Sequence, residues 1–184
     1  MDRESALRLV RERVPNENLV YHMLATEAVM AALADRLGAD RERWALAGLV
    51  HDLDVAETAD RMEVHGRRTV EWLRAEGLTD EDVLDAILAH NPANGSRITT
   101  TMARALFAAD PLTGLVTAAA LIRPEKKLEA VQLKSLKKRF KEPAFARGAR
   151  REDIQTCEVL GIPLEEFLAI GLEAMKSVAG EIGL

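Results

Sequence analysis

Trp-Ala-Leu-Ala-Gly-Leu-Val-His-Asp-Leu-Asp, residues 44–54, brings a histidine and an aspartate side by side at the end of an apolar helical run. A neutral imidazole and a carboxylate both ligate transition-metal ions. Neighbours on a regular helix point about 100° apart, so His51 and Asp52 share an ion only where the helix ends or bends. The acidic, aperiodic residues that follow put the helix end at this pair. The dipeptide by itself is a weak signal. Its weight depends on distant residues that complete a coordination sphere.

Working outward, the periodicity predicts helices on both sides. Residues 3–14 form a short amphipathic helix ended by Pro15, and Asn16 or Asn18 caps the next, about 19–37, with Gly38 at its C-terminus. Asp40 caps the helix that carries the pair. Residues 53–63 read as an acidic loop. Helices are predicted over about 64–75, beginning at His65-Gly66, and from Thr79 to His90. Asn91-Pro92-Ala93-Asn94-Gly95 is a turn. The next helix begins near Thr99–Thr101, and Pro111 is expected to kink or interrupt it, because it has no N–H and crowds the Phe107 carbonyl. A basic stretch around Lys126–Lys141, a helix from about Glu152 to Leu160, and a final helix opened by Pro163 complete the chain.

Ala, Leu, Glu and Arg dominate the 184 residues, and no alternating segment reads as a strand. The expected fold is all-α: a single domain, residues 1–184, of about eight helices. A lone Cys157 excludes an intramolecular disulfide and fits a reducing compartment. The charged N-terminus is no signal peptide, and the longest weakly polar run, 112–122, is shorter than the roughly 20 residues that span a bilayer. The expected location is the cytoplasm, with no membrane partner. Net charge is −5, but residues 123–151 hold eleven Lys/Arg against three Asp/Glu, so the remainder carries −13. The scarcity of aromatics and the overall acidity argue against a nucleic-acid partner.

All four histidines, His22, His51, His65 and His90, fall at or within a turn of predicted helix ends. Asp110 lies amid Leu106-Phe107-Ala108-Ala109 and Leu112, where a lone carboxylate is costly unless a metal or a strong hydrogen bond relieves it. The order His22, His51-Asp52, Asp110 resembles the HD superfamily of metal-dependent phosphohydrolases, of the HDIG type. The likeness spans about 18–122, leaving 123–184 as a helical extension. His65 in Val-His-Gly and His90 in Ile-Leu-Ala-His-Asn match the two further histidines of the dinuclear subgroup, similar to the HD-type diadenosine tetraphosphate hydrolases.

The resemblance implies that His22, His51, Asp52 and Asp110 hold one metal and that Asp52 bridges to a second at His65 and His90. His51 and Asp52 are then the catalytic pair, and a metal-activated hydroxide attacks a phosphoester of a small phosphorylated molecule, a nucleotide. Imidazole and carboxylate suit Fe, Mn, Co, Ni or Zn; the family favours Fe or Mn. The resemblance leaves two alternatives: a dinuclear iron oxygenase, whose members use the same ligands, and a non-catalytic module that binds a nucleotide or protein, whose members often lack ligands that this chain retains. Arg67, Arg68, Arg97 and Arg104 are candidate phosphate contacts, against a plain exposed role. Asp54 and Glu57 belong either to a solvated loop or to the support of a ligand histidine. Asp110 before Pro111 has a competing reading as a helix N-cap. The basic stretch is either a solvated face or a border of the cleft that gathers anions. The Leu/Phe/Met stripe of the last helix is core or a contact between two copies of the chain.

Overall fold

Ten α-helices, with three short 3₁₀ segments and no strand, make up the computed structural model, which describes residues 1–184. They are α1 (Arg3–Arg13), α2 (Glu17–Leu37), α3 (Arg41–Val50), α4 (Val55–Thr58), α5 (Arg67–Ala75), α6 (Glu81–Ala89), α7 (Thr101–Leu121), α8 (Leu133–Phe140), α9 (Arg151–Gln155) and α10 (Leu164–Ser177). The count exceeds the expected eight for two reasons. The loop after Asp52 contains the single-turn α4, and the basic stretch contains α8; the stretch 152–160 divides into α9 and a 3₁₀ segment without adding an α-helix.

Side-chain caps set most helix starts. Asp2, Asn16, Asp40, Asp80 and Thr100 each accept a hydrogen bond from a first-turn N–H. The α6 cap is therefore Asp80 rather than Thr79. His65 is not in α5: that helix starts after Gly66, whose φ of +88° suits only glycine without strain.

Pro111 does not interrupt α7, which runs through it for 21 residues. The proline costs about 3 kcal/mol, but Leu106, Leu112, Leu115 and Val116 on both sides of it are fully buried, and that burial is worth more. Asp110 therefore caps nothing. The sequence places the apolar stretch too short to span a bilayer; the folded helix is the one long and apolar enough to do so. Most of its apolar window is buried inside the bundle, as the central helix of a core.

That core is one cluster of 51 buried apolar residues running from Ala6 to Leu184, so Leu128, Ile154, Phe167 and Met175 of the C-terminal third share it. The most extensive helix pair is α2 against α3. Gly48 of α3 makes that approach possible. A Cβ there would lie 2.7 Å from the Thr26 carbonyl oxygen of α2. His22 on α2 and His51 just past α3 depend on the same contact.

Gly48→Ala should destabilise the fold by about 1–3 kcal/mol, because backbone rather than a mobile side chain must yield. Denaturant unfolding measures this directly. A midpoint equal to the parent's would show that the two helices have room to spare.

Candidate metal centre

The helix ends deliver the histidines. His51 follows α3 and His90 follows α6, and each is the C-cap residue of its helix. There the last carbonyls lack helical partners. Both rings use one: His51 Nδ1 is 2.9 Å from the Gly48 oxygen, and His90 Nδ1 is 2.5 Å from the Ile87 oxygen. Because a carbonyl only accepts, both Nδ1 atoms carry the hydrogen, and in the neutral ring Nε2 is a bare lone pair.

The other two rings reach the same state by different means. His22 Nδ1 lies 2.9 Å from Thr113 Oγ1, whose hydroxyl donates to the Asp110 carbonyl. His65 Nδ1 lies 2.9 Å from Asp54 Oδ1 and 2.9 Å from Thr58 Oγ1, whose hydroxyl donates to the Asp54 carbonyl. Four Nε2 atoms therefore point to one place, and the carboxylates of Asp52 and Asp110 point there too.

The distances divide the set in two. His22 Nε2 is 3.2 Å from His51 Nε2, 3.0 Å from Asp110 Oδ1 and 3.8 Å from Asp52 Oδ2. His65 and His90 Nε2 are 3.1 Å apart and lie 3.0 and 3.3 Å from Asp52 Oδ1. His22, His51 and Asp52 form one group able to hold a metal ion, and Asp52, His65 and His90 form another. Asp52 belongs to both, with Asp110 beside the first.

The donor set fits a divalent cation. Nitrogens bound at about 2.1 Å on adjacent octahedral positions of one ion sit roughly 3.0 Å apart. The two His–His contacts have nearly that spacing. In neutral rings they set lone pair against lone pair, with no lysine or arginine paired to the carboxylates. His51 is fully buried, and His65, His90 and Asp52 nearly so. The Asp110 side chain is one-third exposed, so the set opens to solvent on the His22–Asp110 side.

Without metal, protons stand in for the cation. Burial pushes His65 down, but the carboxylates of Asp52 and Asp54 outweigh it and hold the imidazole at about 10. Burial also opposes the charged form of His22, and Asp110 overcomes it, leaving that pKa raised. His51, with burial dominant, falls to about 4 and stays neutral. Asp52 and Asp110 stay ionised: burial would raise both, yet His51 with His65 and His90, and His22, respectively, hold them below the ordinary carboxylate value.

Asp54 is fully buried and supports His65, which decides between the two readings of the acidic loop. Its carboxylate also accepts from the N–H groups of Gly66 and Thr69, at 2.9 and 3.3 Å, and so sits on the N-terminus of α5. Glu57 only pairs with Arg68 at the surface. Asn91 and Asn94 donate to the His65 carbonyl and fix its peptide.

The four arginines do not gather here. Arg67 donates to the Asn94 carbonyl, and Arg68 meets Glu57 and the Trp72 ring. Arg97 is exposed. Arg104 lines a hollow with Thr99 and Val159 that includes none of the six residues. The basic stretch is engaged only in part: Lys137 pairs with Glu165, Arg139 with Glu142, and Arg151 donates to carbonyls of Phe140, Ala146 and Phe145. Asp153 is a neighbour that sequence reasoning missed. Burial pushes its carboxyl up, Arg150 at 3.1 Å opposes this, and the charges of Glu152 and Asp110 add to it. No sequence signal marks it, since α9 lies more than forty residues from Asp110.

The family model for the HD domain matches residues 19–115. No curated protein and no solved structure matches the chain.

Two outcomes are expected. Asp54→Ala should weaken metal binding at the His65–His90 group about 10–100-fold, because His65 loses its orienting partner; equilibrium dialysis measures this, and unchanged affinity would assign Asp54 to the helix cap alone. The second concerns pH. The paired His65 imidazolium stabilises the metal-free fold, fully below pH 6.5 and no longer once pH has risen through about 10. A cation needs the same nitrogen bare, so its uptake near neutral pH should release about one proton per chain from this ring. Calorimetry in buffers of different ionisation enthalpy counts it; no release would contradict the pairing.

Proposed function

This chain belongs to the HD-domain family, and from that premise and the geometry of the six ligands we propose a metal-dependent phosphohydrolase of the dinuclear subgroup. Its substrate is a phosphoester of a small phosphorylated molecule, a nucleotide. The observation that carries the reading is the orientation of the rings. Every Nδ1 is tied outward and every Nε2 faces inward around a single Asp52 carboxylate.

His22, His51, Asp52 and Asp110 would hold one cation, and Asp52, His65 and His90 a second, with iron or manganese favoured by the family. A divalent cation there supplies Lewis-acid chemistry, lowering the pKa of water towards about 7 and offsetting charge on phosphoryl oxygens. The protein's own groups do the rest. Asp52 turns Oδ1 towards His51, His65 and His90 and Oδ2 towards His22. Asp54 and Thr58 fix the tautomer of His65, and the Gly48 and Ile87 carbonyls fix those of His51 and His90. Burial excludes bulk water behind His51, while the exposed edge of Asp110 leaves the approach open to a phosphate. The enzyme acts in the cytoplasm and needs neither membrane nor nucleic acid.

Anaerobic phosphate release from a panel of nucleotides tests this. The manganese- or iron-loaded protein should release phosphate, a chelator should stop it, and His51→Ala or Asp52→Ala should reduce it more than about a hundredfold with the helical signal kept. Turnover that strictly needs oxygen would favour the oxygenase reading instead. His65→Ala or His90→Ala should lower the metal content from two per chain towards one; a single metal in the parent would overturn the dinuclear version.

A further inference from the structure

Three glycines sit inside helices, and packing explains two. A Cβ at Gly48 would meet backbone at 2.7 Å, and one at Gly171 would meet Leu112 at 2.4 Å. Gly114, within α7, has nothing within 4 Å of where its Cβ would be, and it is exposed. Glycine there lowers helix stability relative to alanine without any packing return. The empty space is a cleft of about 430 Å³ that His22 also lines.

The cleft adjoins the metal centre at His22, which belongs to both. Asp110, Gly114, Thr117 and Leu121 recur at three- and four-residue intervals, so they share one face of α7. Tyr21 and Asn18 extend the opposite wall from His22 along α2, and the segment 182–184 closes the end. Gly183 packs on the Tyr21 ring. The lining has no Lys, Arg, Asp or Glu side chain. Leu121 is half exposed at the rim, an apolar surface that a ligand would cover. Asn18, Tyr21 and Thr117 supply the few polar groups.

We infer that this cleft is the subsite for the organic half of the substrate: an uncharged, ring-bearing group of nucleoside size joined to a single phosphate. The inference rests on the phosphohydrolase reading and adds substrate class to it. A further phosphate on that side would enter an apolar groove without a cation and lose its hydration uncompensated. A cavity of this volume lies at the lower end of the range for small-molecule sites and takes one nucleoside rather than two. Gly114 keeps the floor open, at the expense of helix propensity.

The test is calorimetric titration of the metal-loaded protein with inorganic phosphate and with the four 5′-nucleoside monophosphates. The parent should bind at least one monophosphate more than tenfold tighter than phosphate. Gly114→Leu, which fills the cleft from an exposed helix position, should melt no lower than the parent and keep its metal and phosphate affinity. It should lose at least tenfold in affinity for that nucleotide, and Gly114→Ala should lose less. Phosphate binding with no gain from any nucleoside overturns the subsite alone, as does a Gly114→Leu protein that binds nucleotide like the parent. Failure of the metal-loaded parent to bind phosphate at all overturns the phosphohydrolase reading, and the subsite falls with it.

Discussion

Four imidazole lone pairs and two carboxylates converge on one largely buried place, and no cationic side chain answers them. Such a cluster is unstable as drawn. Either protons are borrowed, as by His65, or a cation takes their place. The rest of the fold works to keep that conflict in position. The close α2–α3 contact at Gly48 sets His22 against His51, and the unbroken α7 carries Asp110 to both.

The support comes from groups of a kind that are easily overlooked. Two rings are anchored on carbonyls freed where α3 and α6 end, so the termination of a helix is itself part of the site. His65 lies on a turn, where a helix could not aim it. It is held by Asp54, Thr58 and the amides of Asn91 and Asn94. Asp54 serves twice, orienting His65 and satisfying the first N–H groups of α5. Changes in these partners should therefore reach the metal through ring orientation rather than through loss of a ligand.

The convergence of the six candidates was legible because residue type and order survive without coordinates; His51 and His90 lie at helix ends, whereas Asp110 stands out as a carboxylate inside the apolar run of α7. The all-α architecture followed from composition and period. Of the kink or interruption expected at Pro111, the interruption did not occur, because local propensity knows nothing of the leucines buried on either side. The role of Asp54 stayed open between loop and support, since only the approach of Gly66 and Thr69 in space decides it. The Gly48 and Ile87 carbonyls leave no trace in side-chain identity. Arg67 and Arg68 follow His65 closely in sequence, yet the fold turns both to other partners. Nothing in the sequence marks Gly114; only its vacant surroundings do.

Element-resolved anomalous diffraction from crystals grown without chelator tests the central claim most directly. The account predicts one ion within bonding distance of His22 and His51 Nε2, a second at His65 and His90 Nε2, and an oxygen of Asp52 on each. An ordered metal-replete crystal in which these nitrogens meet no ion, or in which the metal sits elsewhere, would contradict it.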